Sequence, residues 1–270
     1  SNMFFSTLIF DMDSTRTETS GTHFLRILGC ENFTAFNCIF KNASGYGIGC
    51  QGRPDSDNPL YTGTQRNVLL LYCRFQNNGF NTTDDGDGVD FKSGINVIIH
   101  GCEASGNNDN GFDLRGSNFR VSDCYSHDNL GVGISVRCTA STTFIADYEI
   151  TNCRTNNNGT NEIGISCEAN TSASTTGSMY CTISNVTMQN KTAGVNCISI
   201  LGKSVEYITM INLNNIIIIG NRGTNISGFS SSNLRMQNNN IKFRGSGASQ
   251  VGIANNSQNR VLTGFRIVSI

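Results

Sequence analysis

"INVIIHGCEASGNNDNGFDLRG", residues 95–116, is followed almost at once by "NFRVSDCYSHDNLGVGISVR", residues 118–137, and the two segments share one grammar. Each begins as an alternation of apolar and polar residues and reaches a Cys. Each then passes an Asn-rich turn, meets a Gly and resumes as a second short alternating run. The same order recurs in "NFTAFNCIFKNASGYGIGCQG" (32–52), "RNVLLLYCRFQNNG" (66–79) and "DYEITNCRTNNNGTNEIGISCE" (147–168). The anchoring cysteines are Cys38, Cys73, Cys102, Cys124 and Cys153, at steps of 35, 29, 22 and 29 residues. The shortest step approximates one bare unit, and the longer ones carry insertions.

A unit of two or three short strands cannot bury its apolar face alone, whereas stacked copies bury it continuously. The repeat therefore predicts an all-β fold, a right-handed parallel β-helix (solenoid) of about eight to ten coils. Inward residues of such a solenoid form ladders about 4.8 Å apart from coil to coil. The five anchoring cysteines are expected to form one ladder, and Cys50, Phe91, Leu114, Val136 and Cys167 another. Asn78, Asn107, Asn129 and Asn158 share one place after the Cys, as a ladder of stacked amides requires. Later segments such as "INLNNIIIIGNRGTNISGFS" lose the Cys and keep the rhythm. Residues 22–270 are thus read as a single β-helix domain, and residues 1–21 as a cloning remnant, Ser-Asn-Met, with a first partial coil.

Composition agrees: 29 Gly against 2 Pro, with abundant Asn, favours turns over helices. A net charge of −1 with 14% charged residues offers no basic face for nucleic acid, and no apolar run is long enough to insert into a membrane. The 11 cysteines are odd in number and mostly at inward positions, where Cys behaves as a small hydrophobe, so neither disulfides nor a Cys-based metal site is expected. Buried thiols suit a viral or phage structural protein folded in a reducing cytoplasm, or a secreted protein that keeps them buried. The expected location is accordingly extracellular or on a virion surface. Two Gly- and Ser-containing insertions, 52–65 and 169–178, read as exposed loops, the first able to wall a groove. Open solenoid ends expose unpaired backbone, so the chain is expected to be part of a longer one or to be covered in a homo-oligomer such as a trimer.

Acid is concentrated in "DGDGVDFKSG" and "NNDNGFDLRG". Aligned on the Gly that opens the second strand, Asp90 and Asp113 fall on one outward ladder, and Lys92, Arg115 and Arg137 on the next. Asp87, Asp109 and Asn110 lie in the adjoining turns. Carboxylates about 5 Å apart repel, and an all-oxygen set of this kind suits Ca²⁺, which takes six to eight oxygens at about 2.3–2.6 Å. The cations could instead neutralise the aspartates without a metal, and solvated turn aspartates are a further alternative.

These segments resemble the calcium-site signature of family 9 polysaccharide lyases, β-helix enzymes of the pectin-lyase-like superfamily. That signature is a D-G-F turn followed one coil later by N-x-D-D-G-aromatic-D. Asp87 falls on the first aspartate, Asp109 and Asn110 on the paired one, and Asp113 on the last, with Asp90 able to make up the charge. The resemblance implies that Ca²⁺ binds a uronate carboxylate and acidifies the C5 proton, which a Lys of the following coil removes. That position here is Ser135, which leaves Arg115, Arg137 or Lys92 as base or carboxylate clamp. The coil grammar is also similar to that of phage tailspikes.

Two classes of function follow. One is a polysaccharide lyase, or a glycoside hydrolase using paired aspartates, acting on an acidic polysaccharide. The other is a non-catalytic glycan-binding or structural β-helix of a spike or cell-surface protein. With no Trp in the chain, Tyr46, Phe112 and Tyr125 are the expected sugar platforms, with His127 as a titratable neighbour.

Overall fold

The computed structural model describes residues 2–12, 25–27, 29–50, 65–80, 86–140, 144–169, 177–189, 196–202, 208–219, 226–229, 234–244, 253–255, 260–263 and 267–269. These residues contain 25 strands and no helix, and every strand pair is parallel. No helix among them is long and apolar enough to cross a membrane.

Each coil contributes to three sheets. The first contains Met3–Ser6, Glu31–Phe36, Gln65–Leu71 and their successors to Arg260–Thr263. The second runs from Ile9–Asp11 through Ile39–Lys41, Arg74–Gln76, Glu103–Ser105, Tyr125–His127, Arg154–Asn156 and Thr187–Gln189 to Ile267–Ser269. The third starts at Leu25–Ile27 and Ile48–Cys50 and continues through Val132–Ala140, Asn161–Ala169 and Asn196–Gly202. The long strands Val89–His100 and Phe112–Ser122 bend from the third sheet of one coil into the first sheet of the next. Gly94 and Gly116 sit at that bend, and the register shifts between Leu114 and Gly116. The chain passes the first sheet ten times, in agreement with the repeat.

Left-handed positions account for much of the Asn content, among them Asn32, Asn67, Asn96 and Asn118 at the start of the first sheet and two corners per coil. The chain turns from the first to the second sheet through a left-handed residue, in turn Thr7, Asn37, Tyr72, Gly101, Asp123, Asn152, Asn185, Asn215 and Asn240. It leaves the second sheet through another, at Asn42, Asn77, Gly106, Asp128 and Asn157. Asn, Asp and Gly tolerate this conformation best, and exposed corner amides link coils, as in Asn185 Nδ2 to Asn152 Oδ1 at 3.3 Å and Asn215 Nδ2 to Asn185 Oδ1 at 2.9 Å.

Inside, the cysteine ladder forms as read. The amides of Arg74, Glu103, Tyr125, Arg154 and Thr187 donate to the carbonyls of Cys38, Cys73, Cys102, Cys124 and Cys153 in turn. Val186 and Ile216 continue the buried row. Cys30, Cys38, Cys50, Cys73, Cys102, Cys124, Cys153, Cys181 and Cys197 are buried thiols in no disulfide, and phenylalanines such as Phe33, Phe40, Phe75 and Phe91 fill the centre. Each such buried side chain contributes roughly 1.5–3 kcal/mol.

The asparagine ladder is continuous. Asn78 Nδ2 donates to Asn107 Oδ1 at 2.9 Å, Asn107 to Asn129 at 2.8 Å and Asn129 to Asn158 at 2.9 Å. Its last member gives both its backbone N–H, at 3.2 Å, and its amide, at 2.6 Å, to the buried carboxyl of Glu162. Glycines line the neighbouring column, since a Cβ on Gly111 would come within 2.2 Å of Ser126 Oγ and 2.7 Å of the Gly133 carbonyl.

One expected register is corrected. Val136 pairs with Ile165, not Cys167, and Ser135 with Gly164. Alignment on Gly164 misplaced this coil by two residues, because the column of Gly88, Gly111 and Gly133 continues at Glu162. Of the loops expected over 52–65 and 169–178, residues 52–64 and 170–176 lie outside the described residues, while Gln65, Ala169, Gly177 and Ser178 belong to strands.

Candidate carboxylate site

The third sheet gathers the acid. Asp90 and Asp113 pair in register on adjacent coils, both outward, while Val89, Phe91, Phe112 and Leu114 point into the core. Asp87 enters from the turn before Asp90. One oxygen from each of Asp87, Asp90 and Asp113 lies within 4.8 Å of the others, and all three residues are at most 1% exposed.

Burial sets the electrostatics. It lifts Asp87 well above the ordinary carboxylate range, and the neighbouring charges of Asp113, Asp90 and Asp109 add to it. Asp90 is pushed up to about 7, chiefly by burial, against the pull of Lys92. Three cations pair with two of the acids: Lys92 Nζ lies 3.0 Å from Asp90 Oδ2, and Arg115 and Arg137 reach the two oxygens of Asp113 at 2.8 and 3.0 Å. The spacing D-x-K and D-x-R puts each pair on one strand face. Burial is the largest single influence on Arg115 and draws it down, but the charge and hydrogen bond of Asp113 with the charges of Asp90 and Asp87 together outweigh it, and the guanidinium stays protonated.

The remaining oxygens are unmatched. Asp87 Oδ1 accepts from the Asn110 backbone and side-chain amides, both at 2.8 Å, while Asp87 Oδ2 and Asp90 Oδ1 are buried with neither a hydrogen bond nor an ion pair. This is a costly arrangement, since a buried polar group left unsatisfied costs about 1–3 kcal/mol and a charged one more.

Of the expected ligands, Asp87, Asp90 and Asp113 come together. Asn110 braces them: its Oδ1 accepts from Val132 N at 2.8 Å, and its Nδ2 also reaches Asp109 Oδ2 at 3.1 Å. Asp109 lies one step outside the group of three. Tyr46 is nearly buried beside the cluster, with Lys92 Nζ 5.6 Å from its ring centre.

Other expected positions lie elsewhere. Phe112 is fully buried and packs edge-on against Phe75, so it serves the core and cannot be a sugar platform. Tyr125 and His127 stand on the second sheet, away from the aspartates, stacked on each other at 4.2 Å. There His127 contacts Asp128 at 2.8 Å and Glu103 at 3.4 Å. Sequence reasoning missed Glu162, because Gly164 was set in its place in the Gly column.

The right-handed β-helix family model matches residues 12–176. No curated protein and no solved structure matches the chain. The matched span covers more than half of the chain and includes the carboxylate cluster, the asparagine ladder and the cysteine ladder, so the chain belongs to the right-handed β-helix family.

Proposed function

We propose that the chain is a carbohydrate-active β-helix whose carboxylate cluster holds Ca²⁺ and acts on an acidic, uronate-containing polysaccharide by β-elimination. The observation that carries this reading is the pair of orphaned oxygens, Asp87 Oδ2 and Asp90 Oδ1, within a buried group of three carboxylates. Hard oxygen donors without partners fit a hard cation. Asp87, Asp90 and Asp113 would hold it, with Asn110 fixing Asp87. Bound Ca²⁺ supplies the positive field that makes a proton beside a uronate carboxylate acidic.

The chain's own residues divide the remaining work. Arg115 and Arg137, held on Asp113, are cations that orient the polymer's carboxylates and do not give up a proton. Lys92, an amine rather than a guanidinium, is the candidate base. In the reaction the C5 proton passes to the base, the C4–C5 double bond forms and the C4–O bond breaks, the departing sugar oxygen taking a proton from solvent.

A second reading is favoured by one feature: Asp90 and Asp113 each face a cation and none of the three acids is open to solvent. That suits a structural pin in a non-catalytic glycan-binding shaft. A glycoside hydrolase with Asp90 as its protonated acid is the third.

Incubation with polygalacturonate, alginate and chondroitin, with Ca²⁺ and with chelator, separates the three. Ultraviolet absorbance from an unsaturated product, dependent on Ca²⁺ and lost in Asp113→Ala, supports the lyase. New reducing ends without unsaturation indicate hydrolysis, and neither product leaves the shaft.

A further inference from the structure

On the opposite side of the coil, the first corner column is broken by one aromatic residue. Its described members are Asn, Asp or Gly except for Thr7 in the first coil and Tyr72 in the third, and Tyr72 adopts φ 56°. A bulky side chain in the left-handed region is a genuine outlier, and backbone strain of this kind clusters where a side chain must be presented. The next coil makes room for it. Gly101 occupies the same column, and a Cβ there would come within 2.5 Å of Tyr72 Cδ1, so the ring lies across the space a side chain would fill.

The ring is fixed on three sides and open on the rest. Phe36 meets it edge-on at 6.0 Å, and His100 does so at 5.2 Å. The Tyr72 hydroxyl reaches His100 Nε2 at 3.1 Å, while His100 Nδ1 contacts Ser122 Oγ at 2.9 Å and Asp123 Oδ2 at 3.3 Å. Tyr72 nonetheless remains 51% exposed, with Phe36 and Ile98 also exposed beside it. An apolar ring surface on the earlier coils therefore adjoins a row of hydroxyl, imidazole and carboxylate groups on the later ones.

We infer that Tyr72, with His100 and Asp123, forms a second glycan site, separate from the carboxylate cluster, that takes a neutral pyranose ring. The C–H face of such a ring stacks on an aromatic side chain, and its hydroxyls match the Tyr72 and Ser122 hydroxyls and the Asp123 carboxyl, which His100 holds in place through its two ring nitrogens. The charge selects against a uronate: the half-exposed carboxyl of Asp123 stands beside His100, and the nearby cations Arg74 and Arg120 are matched to Glu103 at 3.8 Å and to Glu149 at 3.9 Å. Successive coils are about 4.8 Å apart, close to the length of one sugar unit, so a chain lying along the axis meets the aromatic and polar rows together.

Asn is the residue that other coils use at this corner, which gives a variant that removes the ring without disturbing the fold. Native electrophoresis through gels containing dextran, galactomannan or xyloglucan, and through polygalacturonate, is the test. The wild-type chain is expected to be retarded by at least one neutral polymer. Tyr72→Asn should raise the apparent dissociation constant about tenfold while its melting temperature stays equal or rises, and Tyr72→Phe should retain most of the retardation. Retardation by polygalacturonate is expected to be unchanged in Tyr72→Asn, which keeps this site distinguishable from the cluster. Absence of retardation in every neutral gel, or equal retardation of Tyr72→Asn, overturns the inference. So does sedimentation showing a wild-type dimer that Tyr72→Asn dissociates, since the patch would then be a contact between copies.

Discussion

The asparagine ladder and the aspartate cluster are both rows of polar side chains buried across adjacent coils, yet they handle burial in opposite ways. In the ladder every donor finds an acceptor. Asn107 Oδ1 accepts from the Asn78 backbone and side-chain amides, and its Nδ2 donates to the Phe75 carbonyl and to Asn129. In the cluster, carboxylates have only acceptors to offer, so stacking them multiplies repulsion, and two oxygens remain without partners. An amide is self-complementary along a solenoid axis and a carboxylate is not. The first row therefore stabilises the fold unaided, whereas the second needs cations from outside its own column.

The largest effect is expected at the centre of the ladder. Asn107→Ala removes four hydrogen bonds and strands the amides of Asn78 in the core, at a cost of about 3 kcal/mol or more. Urea unfolding of the purified chain measures it. A loss under about 1 kcal/mol would mean that the ladder is replaceable by packing.

Asp87→Asn should act in the other direction. It removes one buried negative charge and keeps an oxygen for the Asn110 amides, so metal-free stability should rise by about 1–2 kcal/mol. The same variant should lose the Ca²⁺-dependent increase in melting temperature that mass action requires of a bound ligand. If Asp87→Asn instead destabilises as Asn107→Ala does, the cluster is a satisfied network and the contrast fails.

Where the ladder ends, the two regimes meet. Glu162 receives the final pair of donors, yet burial, the largest influence, lifts its carboxyl to about 7 against those hydrogen bonds. A carboxyl raised in the folded state favours folding when protonated. Its contribution is complete below the unfolded value of about 4.5 and is lost as pH rises through about 7. Thermal denaturation from pH 4.5 to 8 should show that decline, and Glu162→Gln should flatten it. An unchanged slope in Glu162→Gln would assign the pH dependence to other groups.

Much of this contrast was legible in the residue order. The Cys and Asn positions fixed the inward rows, because an insertion within a coil leaves the alternation on either side intact, and Asp90 and Asp113 fell on one outward row for the same reason. What was not legible depended on distances between coils. Gly164 resembles the register glycine, and only the buried side chain of Glu162 in the true column exposes the two-residue slip. Phe112 follows a turn and reads as surface, but both it and Leu114 point inward on either side of Asp113. Tyr72 gave no sequence signal until the corner column was assembled, since its meaning lies in what the other coils place there.

The smallest expected effect tests the corners that hold both rows in register. Asn152 is exposed and left-handed at φ 55°, and it accepts from the Asn185 side chain at 3.3 Å. Asn152→Ala keeps the strands and loses the side-chain link, while an alanine in this conformation costs about 1–2 kcal/mol. Asn152→Gly also loses the link but relieves the backbone, at the expense of a more flexible unfolded chain. Comparing the two separates conformation from hydrogen bonding. Unfolding midpoints should place Asn152→Ala about 1 kcal/mol below the wild-type chain and Asn152→Gly closer to it. If the two variants are equally destabilised, the exposed amide links carry the stability at the corners, and the difference between buried and exposed asparagine rows becomes one of degree.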